Sequence, residues 1–250
     1  MNKTEREHLK HNEAADAIVA ASSYLSQHGR TFGLAAVAVL LLVGSVFGYR
    51  AFKARTEERA QVQLAAAVEI LNAPVAAAPA AGAAPAPVAA GTYATEAART
   101  SAALEQLLST ADAFGSTDAG MRARYYAASL YAETNRPQDA AVAYEKVRDQ
   151  AGASTLLGRM ASLGLASMQV RQKQFDPAIK LLQDLSQRRD GPLPVDAVLV
   201  QLAEAYQQAG RAAEASQTLQ RVIDEFPQSP YAADARQRVE ALQATVSKAS

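Results

Sequence analysis

The sequence predicts an all-α fold, in which one apolar helix near the N-terminus precedes an array of repeated helical pairs. Three observations carry this prediction. The chain is rich in alanine, whereas its 250 residues include only 13 glycines and 10 prolines, as is typical of close-packed helices. Residues 31–49 carry no charged side chain. Small and large residues recur in the C-terminal half at spacings of 38 and 37 residues.

Composition argues against several classes of function. Lysine and arginine together number 25 and are balanced by 25 acidic residues, so the chain lacks the excess positive charge that nucleic-acid binding requires. It has no cysteine, which excludes disulfides and thiolate-bound metals. The three histidines, His8, His11 and His28, precede the apolar run and lack a third ligand for a metal. We therefore expect no catalytic site, no cofactor and no metal site.

The first segment, residues 1–30, is short and polar. Apolar Ala14, Ile18 and Leu25 recur there at helical spacing, which predicts a short amphipathic helix before the apolar run, either solvated or docked on a partner. A cleavable signal peptide has a shorter apolar core that ends in a small-residue cleavage site, and basic residues follow the run here instead. We therefore expect an uncleaved anchor.

Residues 31–49, TFGLAAVAVLLLVGSVFGY, are predicted to form one transmembrane helix. As a helix they would extend roughly 28 Å, close to the hydrocarbon thickness of a bilayer. Gly44 and Gly48 form a GxxxG pair that would let a second membrane helix approach closely, either from another copy, giving a homo-oligomer, or from a multi-span partner. Because glycine is common in membrane helices, the alternative is that the pair has no such role.

Two segments connect the span to the C-terminal body. Residues 50–72 contain no helix breaker, so we expect a juxtamembrane helix whose Leu64 and Ile70 pack on the body. Residues 73–92, APVAAAPAAGAAPAPVAAGT, form an uncharged tract whose four prolines forbid a continuous helix. This Ala/Pro tract is predicted to be a linker or an insertion between two helices, without a binding role.

Residues 93–245 are predicted to form the repeat domain, with helix–turn–helix units at about 121–152, 159–190 and 196–227. Equivalent positions of the three units hold small residues at two points where helices cross. Large apolar residues follow four and seven positions after the second small residue, and this spacing places the large residues on one buried helix face. They are Ala128, Ala166 and Ala203; Ala140, Ala178 and Ala215; Tyr144, Leu182 and Leu219; and Val147, Leu185 and Val222. Asp176 before Pro177 predicts a helix N-cap, and Gly210 a helix C-cap.

These positions resemble the tetratricopeptide repeat, which has small residues at two crossings, a tyrosine between them and a closing proline. Pro227 supplies that proline in the third unit, whereas Gly152 and Asp190 stand there in the first two. The repeat's early tryptophan is replaced in all three units, by Arg124, Ser162 and Leu199. The resemblance implies an α-solenoid in which each pair buries its apolar face against the next; the alternative is an unrelated helical bundle.

In a tetratricopeptide array the first helix of each pair lines a concave groove. The resemblance therefore implies a partner-binding groove for an extended or helical peptide, with apolar contact from Met160 and Leu163 and a charged rim from Arg122 and Arg171. Any of these residues could instead pack against a neighbouring helix. The predicted groove residues are Arg122, Tyr125, Ser129, Met160, Leu163, Ser167, Arg171, Val200, Glu204 and Gln208.

The whole layout resembles the family of the ancillary subunit of the bacterial Sec translocon, which shares its domain with a cell-division coordinator. The similarity lies in LSQHGR before the span, GY at its end, a basic helix after it and EFPQSPYAADARQRVEAL near the C-terminus. The family usually has tryptophan where Tyr49 stands. The resemblance implies an inner-membrane anchor whose repeats face the periplasm and bind translocon subunits, translocating proteins or periplasmic chaperones.

The charges around the span predict the opposite orientation. Arg50, Lys53, Arg55 and Arg59 follow it, against Arg30 immediately before it, and basic residues favour the cytosolic side. The rule weakens for long exported domains, so we expect a periplasmic domain. Two functions remain open. The first is a membrane-anchored adaptor at a translocon, or a cytosol-facing anchored adaptor if the topology is reversed. The second is a structural scaffold for an envelope-assembly or cell-division complex.

Overall fold

The computed structural model describes residues 29–77, 89–187 and 193–249, together with Asp16 and Val19. The described chain is almost entirely helical, and its one strand-like pairing is a bridge between Val75 and Tyr93. The chain divides into two compact units, Met1–Arg55 and Thr56–Ser250. The helices are α1 (Gly29–Asn72), α2 (Glu96–Ala113), α3 (Asp118–Glu133), α4 (Pro137–Ala151), α5 (Leu156–Arg171), α6 (Phe175–Ser186), α7 (Val195–Gln208), α8 (Ala212–Glu225) and α9 (Ala232–Ala249).

The first unit contains the apolar half of α1. All side chains from Val37 to Arg50 are exposed, including Leu41 and Phe47, at 69% and 68% of their surface. Of the described helices, α1 alone is long and apolar enough to cross a membrane. The Ser45 hydroxyl donates to the Leu42 carbonyl at 2.9 Å, so this polar group is satisfied within its own helix, as an apolar environment requires. Most of the predicted N-terminal amphipathic helix and all three histidines lie outside the described residues.

The second unit is an array of helical hairpins, α3–α4, α5–α6 and α7–α8, with α2 before them and α9 after them. Each helix from α2 onward packs on the next one along the chain, and the first helices also touch one another, α3 with α5 and α5 with α7. This arrangement is expected when each pair can bury its apolar face only against its neighbours. The predicted all-α solenoid is therefore confirmed.

The repeat positions account for the core of this array. The six alanines at the helix crossings, which are Ala128, Ala166, Ala203, Ala140, Ala178 and Ala215, are all 0% exposed. The large residues that follow them, Tyr144, Leu182, Leu219, Val147, Leu185 and Val222, are at most 7% exposed. A larger side chain at a crossing would force the two helices apart, since protein interiors are close-packed.

The turns inside the three hairpins share one backbone geometry. Asn135, Lys173 and Gly210 occupy equivalent positions, with φ of 58°, 60° and 75°. The amide of the residue after each of them bonds back to the first helix, as Arg211 does to the Tyr206 carbonyl at 2.8 Å. Glycine adopts this left-handed conformation without a steric cost, and Gly210 directly follows the α7 C-cap, Ala209, in agreement with its predicted role.

The N-cap prediction for Asp176 is wrong. Helix α6 begins at Phe175 with Gln174 as its N-cap, and no side chain caps it. Asp176 lies in the first turn instead, where its carboxylate pairs with Arg211 of the next repeat. Asp-Pro resembles a cap with proline at the first helical position, but after the turn at Lys173 the helix begins at Phe175, two residues before Pro177.

The second half of α1 belongs to the array. Ala67 is fully buried in a cluster with Ala103 and Leu107 of α2 and with Ala123 of α3, and Leu64 and Ile70 pack against it. The start of the Ala/Pro tract is joined to the residue that follows the tract, because the Ala76 amide donates to the Tyr93 carbonyl (2.8 Å) and the Tyr93 amide to the Pro74 carbonyl (2.9 Å). Residues 78–88 of the predicted linker lie outside the described residues.

Candidate protein-binding face of the first helices

Two cavities open along the first helices of the hairpins. The first cavity, of about 490 Å³, lies where α3 meets the start of α5. Most of its wall is apolar or aromatic, formed by side chains that include Met121, Tyr125, Tyr126, Leu156 and Met160. Tyr126 and Leu156 remain 41% and 48% exposed, so this wall of the cavity is accessible from solvent.

An aromatic cluster fixes one wall of the first cavity. The Tyr125 ring contacts Tyr126 and Tyr144 edge-on, with centroid distances of 6.2 Å and 5.5 Å, a preferred geometry for aromatic pairs. The Tyr144 hydroxyl lies 3.1 Å from the Ser129 hydroxyl. Burial raises the pKa of both Tyr125 and Tyr144 above 10.0. Tyr125 and Tyr144 therefore stay uncharged at neutral pH.

The helices that form the first cavity start with the same local motif, Ser-Thr-x-x-Gly, at 116–120 and 154–158. Thr117 is the N-cap of α3 and accepts a hydrogen bond from the Gly120 amide at 3.0 Å; Thr155 caps α5 and accepts from the Gly158 amide at 3.1 Å. Each hydroxyl also donates to a carbonyl of the preceding turn. This motif was not among the predicted features, although its 38-residue spacing matches that of the repeat alanines.

The glycine of the motif is required by a close approach. A Cβ atom at Gly120 would lie 1.9 Å from the Phe114 carbonyl oxygen, and one at Gly158 would lie 2.1 Å from the Gly152 carbonyl oxygen. No side chain fits at either distance. The first turn of each helix therefore packs directly on the backbone of the preceding turn, which fixes the direction of α3 and α5.

The two helix starts differ in how their first amides are satisfied. At α3, the Glu57 carboxylate accepts from the amides of Asp118 (2.9 Å) and Ala119 (3.1 Å). Helix α5 has no equivalent carboxylate acceptor in the described part of the chain, although Leu156 and Leu157 of its first turn line the first cavity. Acidic groups stabilise a helix N-terminus through these amides and the helix dipole.

The charged residues of the first cavity are Asp118 and Arg122. Arg122 is exposed, and neither side chain forms an ion pair with any described residue. Arg124, two residues further on, is instead partly buried: it donates to the Ala111 carbonyl at 2.9 Å and pairs with Asp112. The arginine that replaces the repeat's usual tryptophan thus satisfies a carbonyl near the end of α2.

The second cavity, of about 190 Å³, lies between α5 and α7 and has a more polar lining, with Ser167, Gln201, Glu204 and Gln208 among its residues. Arg171 also lines it, but its guanidinium donates to the Ala132 carbonyl (2.8 Å) and to Asn135 Oδ1 (2.9 Å) at the end of α3. Its guanidinium therefore joins two repeats, and its role in the charged rim of the groove stays a prediction.

The structure distributes the ten predicted groove residues over several environments. Arg122, Tyr125 and Met160 line the first cavity; Ser167, Arg171, Glu204 and Gln208 line the second; Ser129 bonds to Tyr144; and Leu163 and Val200 pack against the hydrophobic clusters of α5–α7 and α7–α9. The binding role of each of them remains a prediction. Within the described ranges, no three His, Cys, Asp or Glu side chains come together as a metal site.

Comparison with family models decides the classification. A model described as a tetratricopeptide repeat-like domain matches residues 23–190, which is more than half of the chain. The chain belongs to this tetratricopeptide repeat-like family. A second model, described as a tetratricopeptide repeat, matches residues 170–239. Tetratricopeptide-repeat proteins generally mediate protein–protein interactions and are typically not enzymes.

Solved structures share the fold. The crystal structure of MamA aligns with a TM-score of 0.50 and 15% identity over 60% of this chain and 80% of its own. A putative kinesin light chain with nearly identical TPR-like repeats, from Podosopora anserina, aligns with a TM-score of 0.51 and 17% identity over 76% of this chain and 97% of its own. At these identities the likeness concerns the fold alone. A search of curated proteins finds no match.

Proposed function

We propose that this chain is a membrane-anchored adaptor that binds segments of other proteins in the first cavity. The observation that carries the proposal is the cavity itself: about 490 Å³, walled by tyrosine, methionine and leucine side chains that remain accessible. Its volume falls in the range of ligand sites, roughly 300–1,000 Å³. Two methionines supply adaptable apolar contact, and the tyrosines supply rigid apolar surface with a polar tip.

The membrane anchor is the apolar half of α1. Its side chains from Val37 onward are exposed, and a helix that is apolar on every face is stable in lipid rather than in water. The family match begins at residue 23 and runs through the first two hairpins, which supports treating the apolar helix and the repeats as one functional module.

At a finer level, we propose that the adaptor serves protein export at the bacterial inner membrane, as an ancillary subunit of the Sec translocon with its repeats in the periplasm. The layout of span, basic helix and repeats supports this assignment. Its partners are then translocon subunits, exported proteins or periplasmic chaperones. Gly44 and Gly48 are open to a membrane partner, since nothing lies within 4 Å of a Cβ placed at either.

Site-specific photo-cross-linking in living cells tests the binding proposal. A photoreactive residue at Leu156, in the first cavity, is compared with one at Val142, which is 55% exposed and does not line the cavity. We expect protein adducts from Leu156 that are absent at Val142. Translocon subunits or chaperones among them support the export role, whereas cell-wall or outer-membrane machinery supports a scaffold. Equal or absent adducts at the two positions would refute cavity binding.

The orientation requires a separate test, because the basic residues after the span favour a cytosolic domain. A reporter enzyme that is active only in the periplasm is fused after Ser250, and a cytosol-active reporter is fused at the same point as its control. Activity of the periplasmic reporter is expected. Activity of the cytosolic reporter alone would place the repeats in the cytosol and exclude the export role.

A further inference from the structure

We infer that the basic residues directly after the span bind the headgroups of anionic phospholipids, with Arg50 and Lys53 as the main contacts. This inference rests on the proposed membrane anchor and adds a lipid preference that the anchor alone does not require. It concerns the first compact unit, which ends at Arg55. It holds for either orientation of the span, because the same end of the helix meets a headgroup layer in both.

The end of the span carries an excess of positive charge. Arg50, Lys53 and Arg55 are exposed, and none of them forms an ion pair with a described residue. Residues 31–56 contain no acidic side chain. Three cations therefore stand together at the point where the apolar part of α1 ends.

The two glutamates that follow in the sequence do not cancel this charge. The carboxylate of Glu57 accepts from the amides of Asp118 and Ala119 at the start of α3, at 2.9 Å and 3.1 Å. Glu58 is followed by Arg59, and both side chains are exposed, so that this pair is balanced in itself. The positive charge beside the span therefore requires an external counter-charge.

Arg50 and Lys53 lie at the depth of the headgroups when the apolar run spans a bilayer. The run ends at Tyr49, which is 67% exposed, and tyrosine is enriched at the interface between the membrane and water. At about 1.5 Å of rise per residue, both cations lie within about 6 Å of Tyr49 along the helix axis. The headgroup layer on each side of a bilayer is about 5–7 Å thick. Both charges therefore fall within this layer, where long basic side chains extend toward the phosphates.

The positions of these cations around the helix favour lipid as their partner. At about 100° per residue, Arg50 and Lys53 lie about 60° apart on one face of α1. Gly44 and Gly48 lie on the other side, about 120–180° from both cations. A membrane helix that packs on the glycine pair therefore leaves Arg50 and Lys53 directed toward the surrounding lipid.

The chemistry of the two side chains selects a headgroup with net negative charge. The Arg50 guanidinium can hold a phosphate through two parallel N–H donors, and the Lys53 ammonium attracts it as a point charge. A zwitterionic headgroup brings its own cation beside the phosphate, which these side chains repel. An anionic phospholipid is therefore the complementary ligand, as for other basic clusters that adjoin a transmembrane helix.

A single-tryptophan reporter measures this preference on the full-length chain in vesicles. The chain has no tryptophan, so Tyr49→Trp introduces a unique fluorophore beside the cations. The vesicles contain equal shares of anionic phosphatidylglycerol and zwitterionic phosphatidylcholine, and bromine on the acyl chains of one lipid or the other quenches a nearby tryptophan. We expect phosphatidylglycerol to be enriched about three- to tenfold at the reporter at low salt, and the enrichment to decrease as salt is raised.

Charge variants of the reporter chain assign the enrichment to the two cations. Arg50→Gln together with Lys53→Gln should bring the enrichment close to one, whereas Arg50→Lys together with Lys53→Arg should keep most of it. The matched control, Lys146→Gln together with Lys180→Gln, removes the same charge at exposed positions of α4 and α6 and should leave the enrichment unchanged. Equal quenching by the two lipids, or an enrichment that survives the double glutamine variant, would overturn the inference.

A second reporter separates this inference from the proposed anchor. Leu41→Trp lies near the middle of the apolar run, where the side chain is 69% exposed, and an inserted span brings it within reach of both brominated lipids. If neither reporter is quenched, the helix does not enter the membrane, and the anchor and the inference both fail. If Leu41→Trp is quenched and Tyr49→Trp shows no preference between the lipids, the anchor stands and the inference alone is wrong.

Discussion

Replacement of Gly120 by alanine should destabilise the repeat array, although the same change in an ordinary helix is stabilising. Alanine is favoured over glycine by about 1 kcal/mol within helices. Here, however, the new Cβ would lie 1.9 Å from the Phe114 carbonyl oxygen and 2.4 Å from its carbon. Because these atoms belong to the backbone, no rotamer change relieves the overlap.

The expected magnitude follows from that overlap. Normal contact would require α3 to move by about 1.5 Å away from the preceding turn, which would also break the bond between Thr117 and the Gly120 amide. Overpacking of this kind costs about 1–3 kcal/mol, and we expect the upper end because backbone meets backbone. After subtraction of the helix-propensity gain, the net loss of unfolding free energy is about 2 kcal/mol.

Thermal unfolding of the full-length chain in detergent, followed by circular dichroism, measures this loss. For a domain of this size a loss of about 2 kcal/mol lowers Tm by about 4–8 °C. Gly158→Ala should behave alike, since its Cβ would lie 2.1 Å from the Gly152 carbonyl oxygen. Gln217→Ala, at an exposed position of α8, is the control and should leave Tm nearly unchanged. An unchanged or higher Tm in both glycine variants would refute the proposed close contact.

Three further predictions concern single side chains. Arg124→Ala should lower the unfolding free energy by about 1–3 kcal/mol in urea titrations, because the Ala111 carbonyl loses its charged donor. Asp112→Asn removes only the exposed partner of Arg124 and should lower the unfolding free energy by less than about 0.5 kcal/mol. Glu57→Ala should lower the unfolding free energy by about 1–2 kcal/mol, because the first amides of α3 lose their acceptor. Hydrogen exchange of these amides should become faster, and unchanged exchange would contradict the capping role of Glu57. Since burial raises the pKa of Tyr144 above its unfolded value, stability should fall as pH rises above 10, and Tyr144→Phe should reduce this fall.

The repeat core was predictable from sequence because it depends on local periodicity. A helix that crosses another closely needs a small side chain at the crossing and large ones a turn or two later, and this pattern appears three times. Ala128 and its equivalents were therefore identified from spacing alone. Glycine at 120 and 158 was missed, since its requirement comes from a carbonyl in the preceding turn, and periodicity of apolar residues does not report such contacts.

The candidate site was less predictable, because it depends on how successive hairpins are rotated. Leu163 and Arg171 share the first-helix face by register, but Leu163 is partly buried against the core and Arg171 bonds to the preceding hairpin. Glu57 was not considered a cap, since 61 residues separate it from Asp118. Contacts of this range require the fold, and the first cavity became visible only with α3 and α5 in place.

The joined ends of the Ala/Pro tract have a consequence for how this protein can change. The backbone hydrogen bonds of the bridge at Val75 and Tyr93 hold the two ends together independently of what connects them, and Arg99 adds a bond to the Ala73 carbonyl at 3.1 Å. Doubling the length of a flexible connection costs only about 0.6 kcal/mol in closure entropy. The tract is thus a point at which an affinity tag, a fluorescent label or a whole inserted domain can enter the chain, while the helices on either side keep their register.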